Sequence, residues 1–255
     1  MKIASWNVNS LRVRLPQVLD WLSTAQPDIL ALQEIKLQDE QFPHEAIRAA
    51  GYHAECCGQK TYNGVAILSR NPACDIVRGV PTFDDPQQRV IGLSCGGLRV
   101  LNLYVPNGQS VDSDKYQYKL QWLARVTDFV RTELARHPDL IVLGDFNIAP
   151  APIDVHDPAA WEGQVLFSEP ERAAFARLLD TGLYDTLRLK RPEEQVYSWW
   201  DYRMASFRRN LGLRIDHILA SRSLSERCSD CRVDKEPRGW EQPSDHAPVI
   251  AEFDL

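Results

Sequence analysis

The chain has 255 residues, 44% hydrophobic and 25% charged, with 29 Lys and Arg against 35 Asp and Glu and a formal net charge of −6. No apolar run reaches the ~20 residues of a membrane-spanning helix, and no collagen-like, coiled-coil or low-complexity bias appears, so membrane and fibrous classes are excluded and one globular domain is expected. An acidic chain does not hold nucleic acid by bulk charge, so a polyanionic partner requires a local basic patch.

In chain order, apolar runs predict strands at residues 2–6, 28–33, 64–69, 89–94, 98–104, 140–144, 213–218 and 248–253. Helices are predicted at 15–24, where Pro16 suits a first turn, at 113–136 and at 169–179. The Pro-rich stretch 150–158 reads as a loop inside the domain. This order is neither a regular βαβ alternation nor all-β, and it implies a single α/β domain with two sheets and covering helices. The amino terminus reaches polar Asn7 and Asn9 too early for a signal-peptide core, which points to a cytoplasmic protein with reduced thiols. The pair Cys228-Ser229-Asp230-Cys231 lacks a second Cys or His pair to complete a zinc site.

Polar residues sit where the predicted strands end. Five apolar runs finish in a group that can bind a metal, a phosphate or a proton: Asn7, Glu34, Tyr104, Asp145 and Asp216-His217. Residues two apart in an extended segment share a face, so Asp145 projects with Asn147, and Asn7 with Asn9. The segment Pro243-Ser244-Asp245-His246-Ala247-Pro248 adds an acid and an imidazole at the lip of the last strand, where Asp216 can fix the tautomer of His246. Repeated strand endings of this kind suggest one shared catalytic rim.

The required basic patch lies between Arg203 and Ile215, which contains Arg203, Arg208, Arg209 and Arg214 and no acid. It follows the aromatic run Tyr197-Ser198-Trp199-Trp200-Asp201-Tyr202. Arginine charge and aromatic stacking surfaces together suit a phosphate backbone and an unpaired base.

Seven ordered segments resemble the exonuclease III family of DNA repair nucleases, within the wider endonuclease, exonuclease and phosphatase superfamily. They are Ser5-Trp6-Asn7-Val8-Asn9-Ser10-Leu11-Arg12, Leu32-Gln33-Glu34-Ile35-Lys36, Tyr62-Asn63-Gly64-Val65-Ala66-Ile67, Tyr104-Val105-Pro106-Asn107-Gly108, Gly144-Asp145-Phe146-Asn147-Ile148-Ala149-Pro150, Gly212-Leu213-Arg214-Ile215-Asp216-His217 and the Ser-Asp-His tail at 244–246. The Trp199-Trp200-Asp201-Tyr202-Arg203 block and the Tyr-x-Pro-Asn-Gly segment are closer to the abasic-site nuclease branch.

The resemblance implies a four-layer αββα sandwich of two packed sheets flanked by helices, and hydrolysis of DNA phosphodiesters that depends on Mg²⁺ or Mn²⁺. A hard cation prefers oxygen ligands and neutralises charge on the leaving oxygen. The resemblance implies a metal set drawn from Asn7, Glu34, Asp145, Asn147, Asp245 and His246, and a catalytic set of Tyr104, Asp145, Asn147, Asp216 and His246, in which Asp145 or His246 serves as the base. One- and two-metal schemes both accommodate these ligands. It places Asn107, Trp199, Arg203 and Ile215 at a pocket for an extruded abasic sugar, with Arg208 and Arg209 on the DNA. The implied partner is double-stranded DNA with abasic sites or 3′ ends, bound by a monomer without a membrane. Asn9 stands where some relatives carry a metal-binding Asp, and bulky Leu166 or Phe167 at the cleft would disfavour internal sites. A same-fold phosphoesterase acting on inositol phosphates or phospholipids is the alternative, opposed by the arginine and aromatic block.

Overall fold

A computed structural model describes residues 1–255. In chain order the elements are β1 (Lys2–Asn7), α1 (Leu11–Ala25), β2 (Ile29–Gln33), α2 (His44–Ala49), β3 (His53–Cys57), β4 (Val65–Ser69), β5 (Cys74–Arg78), β6 (Val90–Cys95), β7 (Leu98–Tyr104), α3 (Asp114–Arg136) and β8 (Leu140–Asp145). The second half adds α4 (Pro158–Trp161), α5 (Glu169–Leu179), β9 (Leu183–Asp185), α6 (Thr186–Lys190), β10 (Asp216–Ser221), α7 (Arg222–Ser225), β11 (Cys228–Val233) and β12 (Val249–Phe253). Two six-stranded sheets form, ordered β11-β12-β1-β2-β4-β3 and β5-β6-β7-β8-β10-β9.

The layers follow from the period-two pattern of the strands. Ile3, Ile29, Ala31, Val100, Ile141 and Leu143 point into a core between the sheets, while Ala4, Trp6, Leu30 and Leu32 face the other way, onto Val18, Trp21 and Leu22 of α1. On the second sheet Leu101, Leu103, Leu140 and Val142 face Trp122, Val126 and Val130 of α3 and Phe175 and Leu178 of α5. Both faces of each central strand are therefore covered, which is why these strands read as largely apolar runs, with Ser5 in β1 and Arg99 and Asn102 in β7 buried and hydrogen-bonded. The result is the expected αββα sandwich.

The parallel pairs β1–β2 and β7–β8 place four strand ends on one rim, with Asn7 beside Gln33 and Tyr104 beside Asp145. β10 runs antiparallel to β8, so its first residue, Asp216, lies opposite Asp145. Gly144 makes this junction possible: at φ 142° a Cβ would stand 1.9 Å from the Leu103 carbonyl oxygen, so no side chain fits.

Three sequence expectations need correction. Residues 213–215 precede the strand, because Leu213 makes isolated bridges with Val155 and Trp199 rather than a ladder. Helix α1 begins at Leu11, so Pro16 lies inside it; it sits on the exposed face, where water can satisfy the carbonyl its ring leaves unbonded. Strands β3, β5, β9 and β11 escaped the periodicity because they are the four sheet edges, short or only partly buried.

Candidate active site

The rim residues are fixed by local backbone that departs from the regular strand. After β2 the chain turns through left-handed conformations at Glu34 (φ 52°) and Lys36 (φ 53°), and after β8 through Asn147 (φ 50°). For a residue such as Glu this costs on the order of 1 kcal/mol. The turn is held because Glu34 and Ile35 carbonyls accept from Ser10 and Leu11 backbone amides, and Ile35 N donates to Gly64 O.

These turns bring Glu34, Asp145 and His246 together, with one ligand atom of each within 4.8 Å of the others. Asn7 bridges the two carboxylates, its Nδ2 donating to Glu34 Oε1 at 2.9 Å and Asp145 Oδ2 at 2.8 Å, while its Oδ1 accepts from Asn9 N at 3.0 Å. The Lys36 ammonium lies 2.9 Å from Glu34 Oε2 and donates to Asn9 Oδ1 at 2.6 Å. Asn147 N donates to Asp145 Oδ1 at 2.9 Å, so the carboxylate is oriented from both sides.

His246 Nδ1 contacts both Asp216 oxygens, at 2.9 and 3.1 Å, which leaves Nε2 3.7 Å from Asp145 Oδ2. Asp216 is itself set by Ser198, whose hydroxyl donates to Oδ2 at 2.6 Å and accepts from Ile215 and Asp216 amides. Burial alone would push the imidazole down, but Asp216 and then Asp145 hold its pKa up at about 10. Burial pushes Asp145 up to about 7, against the pull of His246 and with the push of Asp216. Burial also raises the Tyr104 phenol well above its usual range, helped by Glu34 and Asp145, so it stays a donor. Arg89 braces Tyr104, donating to its carbonyl at 3.1 Å with the guanidinium 4.6 Å from the ring centre.

A scan of protein families matches residues 4–246 to the Endonuclease/Exonuclease/phosphatase family. The chain belongs to that family. It is 40% identical to the exodeoxyribonuclease III of Haemophilus influenzae, over 99% of this chain and all of the relative. Two structures of NExo from Neisseria, a 3′-5′ exonuclease and a 3′ phosphatase bound to product DNA hairpin, superpose with a TM-score of 0.99 at 54% identity and full coverage of both chains. An AP endonuclease from Archaeoglobus fulgidus superposes with a TM-score of 0.97 at 43% identity, again over both full chains.

Nucleases of this family depend on a metal, and the donor set here fits one. Glu34 and Asp145 offer hard carboxylate oxygens at the same opening of the rim, with room between their ligand atoms for a cation. The six residues expected as ligands divide in two. Glu34, Asp145 and His246 converge, whereas Asn7 turns its amide nitrogen to the cluster, Asn147 Oδ1 accepts from Asn107 Nδ2 at 3.1 Å, and both Asp245 oxygens are taken, by Asn9 Nδ2 and by the Trp199 indole, each at 3.0 Å.

The expected DNA residues divide as well. Arg203, Arg208 and Arg209 are exposed, and Asn107 and Arg203 border a cleft of about 1150 Å³ that also takes in Tyr62, Arg89 and Lys115. Trp199 is half-buried, with its indole on Asp245, and Ile215 is buried behind it. Arg214 leaves the basic patch altogether: it is 1% exposed and paired with Asp154 and Asp185. Leu166 and Phe167 do not project into the cleft; they pack with Val155, Leu213 and Ile215 in a small apolar cluster of their own.

Sequence reasoning missed Ser198, Arg89, Lys36 and the amide of Asn9 as site groups. Lys36 and Asn9 stand two residues from the groups they contact, Glu34 and Asn7, and that spacing was the available signal; Ser198 and Arg89 bond groups 18 and 15 residues away, which no local pattern marks.

Proposed function

We propose that the chain is a Mg²⁺- or Mn²⁺-dependent DNA repair nuclease of the exodeoxyribonuclease III type, which hydrolyses phosphodiesters at 3′ ends and 5′ to abasic sites in double-stranded DNA. The observation that carries this reading is the convergence of Glu34, Asp145 and the Asp216–His246 pair beside a cleft edged by Tyr62, Arg89, Lys115 and Arg203. The relatives support it: exodeoxyribonuclease III in one case, NExo in another, described as a 3′-5′ exonuclease and, bound to product DNA hairpin, as a 3′ phosphatase, and an AP endonuclease in a third. The protein acts as a cytoplasmic monomer in this proposal, and its partner is the damaged duplex itself.

Glu34 and Asp145 would hold the divalent cation, which when bound would supply positive charge against the oxygen that leaves. The protein's own groups do the rest. Asp145, which burial pushes up to about 7 in the metal-free protein and which a cation beside it would keep ionised, accepts a proton from an attacking water. His246 is cationic below about pH 10 and turns Nε2 to the same opening, where it binds a nonbridging phosphate oxygen. Tyr104 contributes a neutral O–H donor beside Glu34 and Asp145. Arg203, Arg208 and Arg209 engage phosphates along the duplex, and the half-buried Trp199, backed by the buried Ile215, offers the apolar surface to an extruded sugar, which is cheap to extrude because it has no base to unstack.

The test is a gel assay with purified protein, a 5′-labelled duplex carrying one internal abasic analogue, and an intact duplex with a recessed 3′ end, each with Mg²⁺ and with EDTA. Metal-dependent cutting of either duplex is expected. A single internal cut assigns the abasic activity, and a ladder from the 3′ end assigns the exonuclease. Silence on both ends the proposal.

A further inference from the structure

One charged group in the core serves no purpose in the chemistry above. Lys119 lies on α3 in the register of its apolar stripe, with Tyr116, Trp122, Leu123 and Val126, and is fully buried. Burying an ammonium is costly unless every proton is bonded. Here all three are: Nζ donates to Asn107 O at 3.1 Å, to Asn147 O at 2.7 Å and to the Glu171 carboxylate. Glu171, equally buried, also accepts from Leu166 N at 3.1 Å, Ser168 N at 3.1 Å and Ser168 Oγ at 2.5 Å.

The two carbonyls belong to residues whose side chains meet on the other side of the same backbone. Asn107 Nδ2 donates to Asn147 Oδ1 at 3.1 Å, and Asn147 N and Nδ2 both reach Asp145. Asn147 holds a left-handed backbone, φ 50°, which a local anchor must maintain. Gly108, the last residue of the Tyr-Val-Pro-Asn-Gly segment, lets the lysine pass: at φ 95° its missing Cβ would stand 3.2 Å from Lys119 Cδ.

We infer that Lys119 is a positioning residue for the hydrolytic step: its ammonium clamps the loops after β7 and β8 from behind, so that Asn107, Asn147 and through them Asp145 face the reacting phosphate in one fixed arrangement. The inference rests on the nuclease reading and names a group that never touches DNA or metal. A purely structural ion pair of the same kind exists for comparison. Arg99 and Glu133 are also buried, 2.5 Å apart, but join α3 to the opposite end of β7, where Arg99 pairs with Leu140 at the start of β8.

The experiment compares two double variants, Lys119→Met/Glu171→Gln and Arg99→Met/Glu133→Gln, in steady-state Mg²⁺-dependent cleavage of duplex DNA, with melting temperatures alongside. Glu171→Gln removes the stranded charge and keeps one oxygen, enough for either the Leu166 or the Ser168 amide, which bond different oxygens of Glu171. For the Lys119 pair, kcat is expected to fall about 10- to 100-fold, the scale of an ångström-level misplacement, while KM for DNA and the Mg²⁺ needed for half-maximal rate stay within about threefold. The Arg99 pair is expected to melt earlier and keep its kcat. If the first double variant does not fold, Lys119→Arg carries the test: it retains charge and donors but displaces both carbonyls with a larger head, and a smaller loss confined to kcat is expected. Unchanged kcat in a folded Lys119 variant, a loss carried wholly by KM, or an equal kcat loss in the Arg99 pair overturns the inference. Wild-type protein that cuts no DNA would instead remove the nuclease reading on which it rests.

Discussion

His217 and His246 are both buried within a few ångströms of Asp216, yet their surroundings drive them to opposite charge states. His217 follows Asp216 on β10 and points away from the cleft. It packs on Phe146 and Phe175, with Arg214 Nη1 3.0 Å from Nδ1 and Ile148 O 2.9 Å from Nε2. Burial and the arginine push its pKa down to about 4, so it is neutral. His246 faces Asp216 and Asp145 and is cationic up to about pH 10. Burial penalises both rings alike, so the sign of the nearest charge decides. The rim thus holds one histidine, on β10, that is neutral and packed into the fold, and another, just before β12, that is cationic and turned to Asp145.

The comparison breaks most sharply where the carboxylates around His246 are removed. Asp145→Asn is expected to lower turnover at least about 10²-fold with DNA binding retained, measured by single-turnover cleavage and by gel shift; a variant that cuts normally would end the assigned role. Asp216→Asn comes next. It removes the main group that keeps His246 charged, and is expected to cost about 10²-fold in kcat and to move the alkaline limb of the pH profile downward. On the other side, His217→Phe leaves Ile148 O without its partner and frees one proton of Arg214 Nη1, the other staying on Asp185 Oδ1, and is expected to cost about 1–3 kcal/mol of stability in urea unfolding with turnover within a few-fold of wild type. Loss of activity in a well-folded His217→Phe protein would erase the distinction between the two rings.

The pH dependence sharpens the same contrast in metal-free protein. His246 binds its proton more tightly folded than unfolded, so its contribution to stability is full below the unfolded value of ~6.5 and is lost as pH rises through about 10. His217 behaves inversely: the unfolded chain takes up the proton first, and stability is lost as pH falls from ~6.5 toward about 4. Denaturation curves of His246→Gln and His217→Phe across that range separate the two slopes. In activity, an acid limb near pH 7 is expected from Asp145, moved lower as bound metal favours its ionised form.

The smallest effects concern the arginines, which divide as the histidines do. Arg214 is buried with His217 and neutralised by Asp154 and Asp185, while Arg208 and Arg209 stand in solvent. Arg208→Ala and Arg209→Ala are each expected to flatten the salt dependence of DNA binding by about one unit of log–log slope, read by fluorescence anisotropy over a salt series. Unchanged slopes would place both off the DNA path.

The sequence by itself determined the layers and the rim. Strands buried on both faces read as largely apolar runs, and the polar residues at Asn7, Glu34, Asp145 and Asp216 mark where they end, so core and cleft were both legible from hydrophobic pattern, while the buried polar residues inside them, Ser5, Arg99 and Asn102, find hydrogen-bond partners only in the packed sandwich. Edge strands such as β5 carry no such pattern because water covers part of them, and Pro16 misled because its exposed carbonyl partner tolerates the missing bond. Tertiary structure alone decided which charges meet. Arg214 and Arg209 belong to one basic run, and Lys119 resembles any solvated lysine until α3 is laid against β8 with Glu171 beneath it. Burial is a property of residues that a linear pattern reports well. The charge state of a buried group depends on partners distant in the chain, Asp216 with His246 or Lys119 with Asn107 and Asn147, and only the packed sandwich brings these together.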